Sequence, residues 1–237
     1  YEQSVASAAT ALENARQTGQ RNVENAYNSA LLTINDRILS ARIALDLINT
    51  ILEDDDAALV LGATDNSLVS RTRDERVVAL ALADQAENSV SKVKTSSDEV
   101  GVDKAASDVK NLLSQIYSAL YYAYAMLEAT ITSIDFTQTE LNSYKSQIST
   151  QSATINSAST ALESAIQAFH NAVLSNNTSV ASAQEGLRQA QSALETAVIS
   201  ARNALSIANL SAEQQVSSAQ SRLDSARKNL EIGRAHV

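Results

Sequence analysis

Side chains able to do chemistry are scarce in these 237 residues. There is no cysteine, and the only two histidines are His170 and His236. With no thiol and no second histidine at ligand spacing, zinc, haem and disulfide chemistry are all but excluded. Asp54, Asp55 and Asp56 form an acidic run. Calcium loops, however, spread their ligands over a longer segment with a glycine turn, so this run reads as solvated charge at a fraying helix end. Thr72-Arg73-Asp74-Glu75-Arg76 mixes charges and reads as helix-start capping with surface ion pairs, with a partner-docking tip as the functional alternative. His170, next to Phe169, reads as a surface or boundary residue. No Ser-His-Asp set, P-loop or dinucleotide fingerprint occurs. The expectation is a protein that is not an enzyme and carries neither metal nor cofactor.

Four of the seven tyrosines cluster at Tyr117, Tyr121, Tyr122 and Tyr124. Tyr117 and Tyr121 share a face at i,i+4, with Tyr124 near them. Such rings could line a small-molecule pocket between helices or fill a core as an aromatic layer, and the layer is the expectation.

The elements that must carry these residues are helices. The chain has no proline and five glycines, against roughly 12 and 17 at average usage. A β-rich fold needs such residues at its many turns, so their scarcity predicts an all-α chain of few long helices. A formal charge of −9 disfavours nucleic acid or an anionic membrane as the main partner. No run of 18 apolar residues occurs, so these residues do not themselves span a bilayer.

Heptad spacing organises the two ends. Val5, Ala8, Leu12, Ala15 and Gly19 lead through Val23 into Tyr27, Leu31, Ile34, Ile38, Ala41, Leu45, Ile48 and Leu52, with a stutter at Val23. Val180, Ala183, Leu187, Ala190, Leu194, Ala197, Ala201, Ala204 and Ala208 form a second series. It passes a stutter at Ala212 and Val216 into Ala219, Leu223, Ala226 and Leu230. Matched stutters suggest an antiparallel hairpin in which facing residue numbers add to 235. That rule puts Leu12 by Leu223, Gly19 by Val216, Val23 by Ala212, Tyr27 by Ala208, Leu31 by Ala204 and Ile34 by Ala201. It also puts Ile38 by Ala197, Ala41 by Leu194 and Leu45 by Ala190, so that large residues mostly face small ones.

The expected architecture is a long antiparallel coiled-coil hairpin with an inserted helical bundle. Residues 1–53 are the ascending arm, 54–177 the insert and 178–230 the descending arm. The insert carries helices at about 68–96, 102–134 and 137–175. The middle one is apolar on more than one face, which places it centrally. Thr137 and Glu140 form a capping box with Phe136 and Leu141 as its hydrophobic staple. The last insert helix keeps its phase through Asn176-Asn177, so it could join the descending arm as one helix with a kink there. Residues 231–237 break the periodicity and read as translated sequencing adapter, which removes His236 from consideration. Tyr1 lies already inside a helical pattern, so the chain reads as a piece of a longer one.

The arms carry a recognisable signature. Ala183-Gln184-Glu185-Gly186-Leu187-Arg188-Gln189-Ala190 and Ala219-Gln220-Ser221-Arg222-Leu223-Asp224-Ser225-Ala226 read as Ala-Gln-x-x-Leu-x-x-Ala repeats, and Ala8 to Ala15 matches them. This resembles the α-helical hairpin of HlyD-like membrane fusion proteins, the periplasmic adaptors of efflux and secretion systems. The resemblance implies an extracytoplasmic, anchored protein that self-associates into a ring. Its partners would be an inner-membrane transporter and an outer-envelope channel. The family's tip motif departs here: Arg76 and Leu80 match its start, but Glu87 stands where serine is needed. Two rivals remain open, a four-helix-bundle sensor of the chemoreceptor kind with the tyrosines as its pocket, and a plain coiled-coil stalk.

Overall fold

The structure, a computed structural model, describes residues 1–96 and 99–235. Among these it is all-α, with four helices and no strand: α1 (Glu2–Leu52), α2 (Ser67–Ser96), α3 (Glu99–Glu128) and α4 (Gln138–Ala235). Two compact units are present, one of Tyr1–Gln17 with Thr178–Val237 and one of Thr18–Asn177. α4 is not interrupted at Asn176-Asn177. No glycine or proline stands there to end it.

Thr18–Asn177 is a closed up-down-up-down bundle, and its polar ties fix both neighbours and direction. Arg42 of α1 bonds Asp84 and Glu87 of α2, and the Tyr27 hydroxyl donates to the Val93 carbonyl at 2.9 Å. Between α2 and α3, Gln85 and Ser89 donate to Asp108, and Gln115 donates to Glu75. Lys110–Glu163, His170–Asp103 and Lys145–Glu128 join α3 to α4. The residue numbers of all three of these pairs add to 273, as antiparallel neighbours require. Tyr27 meets Phe169 edge-on at 6.2 Å, which closes α4 against α1. No connection breaks the alternation of directions, and the bundle takes in α1 from Thr18 onward rather than residues 54–177 alone.

Each helix turns one apolar stripe inward. Ile34, Ile38, Leu45 and Ile48 of α1 meet Ala79, Ala83, Ala86 and Val90 of α2, while Leu112, Ile116, Leu120 and Met126 of α3 meet Leu141, Ile148, Ile155 and Leu162 of α4 in the same core. The small residues of α2 let its backbone come close to bulkier neighbours, which keeps the interior dense.

The helix ends show what stops each element. Thr137 and Glu140 make the expected capping box: the Thr137 amide donates to Glu140 at 2.7 Å and the Glu140 amide donates back to the Thr137 hydroxyl at 3.3 Å. Phe136 and Leu141 are both buried beside it. α3, by contrast, stops at Glu128 and not near 134. Its last carbonyls are taken by a tightened final turn, in which the Thr130 amide donates to Leu127, and by the Thr130 hydroxyl, instead of by another α-helical turn. The Thr130 hydroxyl donates to Met126 and accepts from the Gly62 amide, while the Thr64 amide and hydroxyl both donate to Ala129. Ile131 and Ile134 are therefore left exposed. Gly62 makes this stitch with φ 57°, a left-handed conformation that side chains with a Cβ resist.

The register of α1 against α4 differs from the sequence rule. Tyr27 meets Phe169, and a Cβ built on Gly19 would collide with the Asn176 side chain. Facing numbers thus add to 195 or 196, not 235. The offset of forty residues is about eleven turns at 3.6 residues each, so the same stripe of α4 points the same way in either register. Two alanine-rich stripes alone do not decide between the two. The stutter that answers Gly19, Val23 and Tyr27 is the pair of four-residue steps Ala165, Phe169, Val173, and not Ala208, Ala212, Val216. Within the other unit, Tyr1 stands beside Arg188, Ala193 and Ala197, so Ala197 is not the partner of Ile38.

Candidate functional site

The residues named from sequence as coiled-coil packing separate by position. Leu12, Leu31, Ile34, Ile38 and Leu45 are buried, and Val23 and Tyr27 are half-buried. Leu187 and Leu194 are half-buried as well. Ala201, Ala204, Val216 and Leu223 are exposed, so the pairings that set them over Ile34, Leu31, Gly19 and Leu12 are not made. The expected face of α1 is turned inward along its length, whereas that of α4 is covered only as far as Ala197.

The tyrosines correct a second expectation. Tyr117, Tyr121 and Tyr124 are 52%, 63% and 38% exposed, so they form neither a core layer nor a pocket. α3 already fills its inward side with Leu112, Ile116, Leu120, Ala123 and Leu127, which sends the rings outward. Tyr122 stacks beneath the Arg71 guanidinium at 4.9 Å and meets Tyr121 edge-on. α3 is one side of a closed square and is not a central helix.

Sequence reading missed the most buried charge, Asp108, which is 4% exposed. Burial raises the pKa of such a carboxyl, but hydrogen bonds from Lys104, Ser89 and Gln85 overcome that and hold it below the ordinary value. Lys104 reaches both oxygens, at 2.7 and 2.8 Å. A usable signal existed: residue 108 is one turn from both Ala105 and Leu112 and so falls on the apolar stripe. The acidic run is more than solvated charge. Asp54 accepts from the Asp56 and Ala57 amides and from the Tyr144 hydroxyl, so it caps the turn after α1 and ties it to α4. Burial, and next the bond to Asp54, push the Tyr144 phenol up to about 12. The mixed-charge run is built in too, since Glu75 accepts from Gln115, Ser118 and Arg71. Of the three residues read against the family's tip motif, Arg76 and Leu80 are half-buried in α2, and Glu87 holds Arg42.

The grooves are open and shallow. One of about 560 Å³ in the bundle is lined by Val23, Tyr27, Phe169 and Val173, with Glu24 and Glu99 at its rim. Another of about 430 Å³ lies beside the His170–Asp103 and Lys110–Glu163 pairs. His170 sits half-buried at this boundary, as expected from its place next to Phe169. His236 lies outside the described residues. Among the described residues no group of three or more His, Cys, Asp or Glu could hold a metal ion, and no helix is long and apolar enough to cross a membrane. Compared with known proteins, the chain matches no family model, no curated protein and no solved structure.

Proposed function

We propose that this chain is the helical segment of an adaptor subunit of the HlyD-like kind, a mechanical part linking an inner-membrane transporter to the outer envelope during solute export. The observation that carries this reading is the antiparallel direction of α1 and α4, the first and last helices, as fixed by Tyr27 with Phe169 and Gly19 with Asn176. A hairpin that leaves and returns to the same flanking domain needs that direction. With the register that first suggested it not the one adopted, the reading rests on this direction together with the Ala-Gln-x-x-Leu-x-x-Ala repeats of the arms. In such an adaptor, copies stand side by side in a ring and solute passes through without chemistry. The Ser, Asn and Gln residues on outer positions suit wet lateral contacts between copies. The protein would lie outside the cytoplasm, anchored through neighbouring segments.

A sensor of the chemoreceptor kind is the second reading, favoured by the closed four-helix bundle of Thr18–Asn177. Against it, the tyrosines that would form its ligand pocket face outward. Reading the gene on both sides of this segment tests the proposal. Lipoyl-like half-domains and strands flanking the helices are expected. Membrane-spanning helices at both ends with a signalling coiled coil would replace the adaptor by the sensor, and unbroken heptads would replace it by a stalk.

A further inference from the structure

We propose that the bundle of one copy packs side by side and parallel against the next, with Leu39 and Ile43 of α1 set on Tyr117 and Tyr121 of α3 in the neighbouring copy. α1 and α3 each touch both α2 and α4, so they stand at opposite corners of the bundle and run the same way. Each carries an exposed stripe on its outer side. On α1 it is Leu32, Asp36, Leu39, Ile43, Asp46 and Thr50, and on α3 it is Lys110, Ser114, Tyr117, Tyr121, Tyr124 and Glu128. Leu32, Leu39 and Ile43 are 67%, 59% and 49% exposed, on a helix that already buries a full apolar stripe along its inner side. Large apolar residues gathered on a face, rather than scattered singly, mark an interaction surface.

The two stripes match in spacing and in height. Both step by 4, 3, 4, 3 and 4 residues. Facing numbers add to 195 or 196 between α1 and α4 and to 273 between α3 and α4, so an α1 residue lies level with the α3 residue numbered 77 or 78 higher. At 78 the stripes run level pair by pair: Leu32 with Lys110, Asp36 with Ser114, Leu39 with Tyr117, Ile43 with Tyr121, Asp46 with Tyr124 and Thr50 with Glu128. A copy displaced sideways, with no slide along its axis, therefore lays its aliphatic stripe along the neighbour's tyrosines. The chemistry suits each level. Two aliphatic side chains meet two phenol rings in the middle. Asp36 and Asp46 face hydroxyl donors on Ser114 and Tyr124, and the Lys110 stem covers Leu32 with its charge one turn from Asp36. Glu128 falls beside an uncharged threonine. Reversing the neighbour would instead press the Glu128 carboxylate onto Leu32. The contact is heterologous, each copy offering one face to the copy before it and the other to the copy after, so it closes as a ring or grows as a row.

This deepens the adaptor reading and rests on it for bringing copies together in one direction. The two are tested apart, since the gene's flanks decide the adaptor and cross-links decide the contact. The chain has no cysteine, so introduced ones report cleanly. On mild oxidation at about 100 μM, where even weak specific contacts are populated, L39C/Y117C should give a ladder of disulfide-linked oligomers. L39C alone should stay monomeric, because that face does not meet itself. L32C should link to K110C when the two variants are mixed, and not to E128C. Adding I43D to L39C/Y117C should keep the helix content and cut the ladder about tenfold by placing a charge on an apolar contact. An L39C/Y117C chain that stays monomeric would overturn the proposal. So would dimers of L39C alone, which mark a two-fold contact, or linking of L32C to E128C, which marks reversed neighbours.

Discussion

Gly19 offers the most direct thermodynamic check on the register of α1 against α4. A glycine in a helix interior costs about 1 kcal/mol relative to alanine, so helix propensity alone predicts that Gly19→Ala stabilises the protein by that amount. The structure predicts otherwise. The new Cβ would lie 2.7 Å from the Asn176 Cγ and 3.2 Å from its Cβ, besides overlapping the side-chain oxygen. Asn176 would have to leave its rotamer and its neighbours shift, an overpacking cost of about 2 kcal/mol. Gly19→Ala in the natural chain should then lose about 1 kcal/mol net, and in an Asn176→Ala background it should gain about 1 kcal/mol. The coupling between the two sites is about 2 kcal/mol, well outside the few tenths expected of independent positions. Urea unfolding followed by helical circular dichroism at neutral pH measures all four corners of the cycle. Gly19→Ala combined with Val216→Ala should be additive, because Val216 is exposed and not the neighbour of Gly19. Equal effects of Gly19→Ala in both Asn176 backgrounds, or coupling to Val216, would refute the placing of Gly19 against Asn176.

Other perturbations test the ties of the bundle. Gly62→Ala forces a left-handed φ on a residue whose Cβ would lie 2.9 Å from Val69, and should cost at least about 1–2 kcal/mol by urea unfolding. Tyr144→Phe should cost about 1–2 kcal/mol and remove a phenol that titrates near 12 in an ultraviolet titration. That phenol's pKa is raised on folding, so its contribution is full below pH 10 and fades as pH climbs through about 12. A natural chain without that late step would contradict the Tyr144–Asp54 bond. Asp108→Asn should cost about 1–3 kcal/mol at neutral pH. The Asp108 pKa is lowered on folding, so its contribution is present above the ordinary carboxyl value and lost as pH falls through the depressed one. The variant's stability should thus change less than the natural chain's in acid unfolding, and an unchanged acid limb would count against the buried pair. Thr137→Ala should remove a cap worth about 1 kcal/mol, and full stability in the variant would mean that Glu140 and Phe136 hold the helix start unaided.

Local signals were readable and long-range ones were not. The start of α4 was legible because Thr137, Glu140, Phe136 and Leu141 act on one another within six residues. The inner face of α1 was legible because burial follows heptad spacing from Val5 to Ile48. The end of α3 was hidden because its partners lie more than sixty residues upstream: Thr64 takes the Ala129 carbonyl, and the Gly62 amide bonds the Thr130 hydroxyl. Asp108 could be flagged from its place on the apolar stripe, but the α2 side chains that bond it, Gln85 and Ser89, could not be named before the fold was known. The tyrosines misled because residue type suggested burial while helical phase pointed outward. The α1–α4 register was beyond a count of apolar steps, since two stutters of the same spacing were available on α4 and the choice is made by Tyr27 against Phe169 and Gly19 against Asn176.

The order of neighbours around the bundle has a consequence for how the chain assembles. α2 and α3 adjoin in sequence and meet as a local hairpin, whereas Tyr27 must wait for Phe169, 142 positions later. Closing so long a loop is entropically the most demanding event in this topology. During synthesis the middle hairpin can zip while α4 is still unmade, leaving the apolar side of α1 without its final cover. That interval is when the nascent chain has most to gain from a chaperone, and a ribosome stalled before residue 138 should expose it to protease.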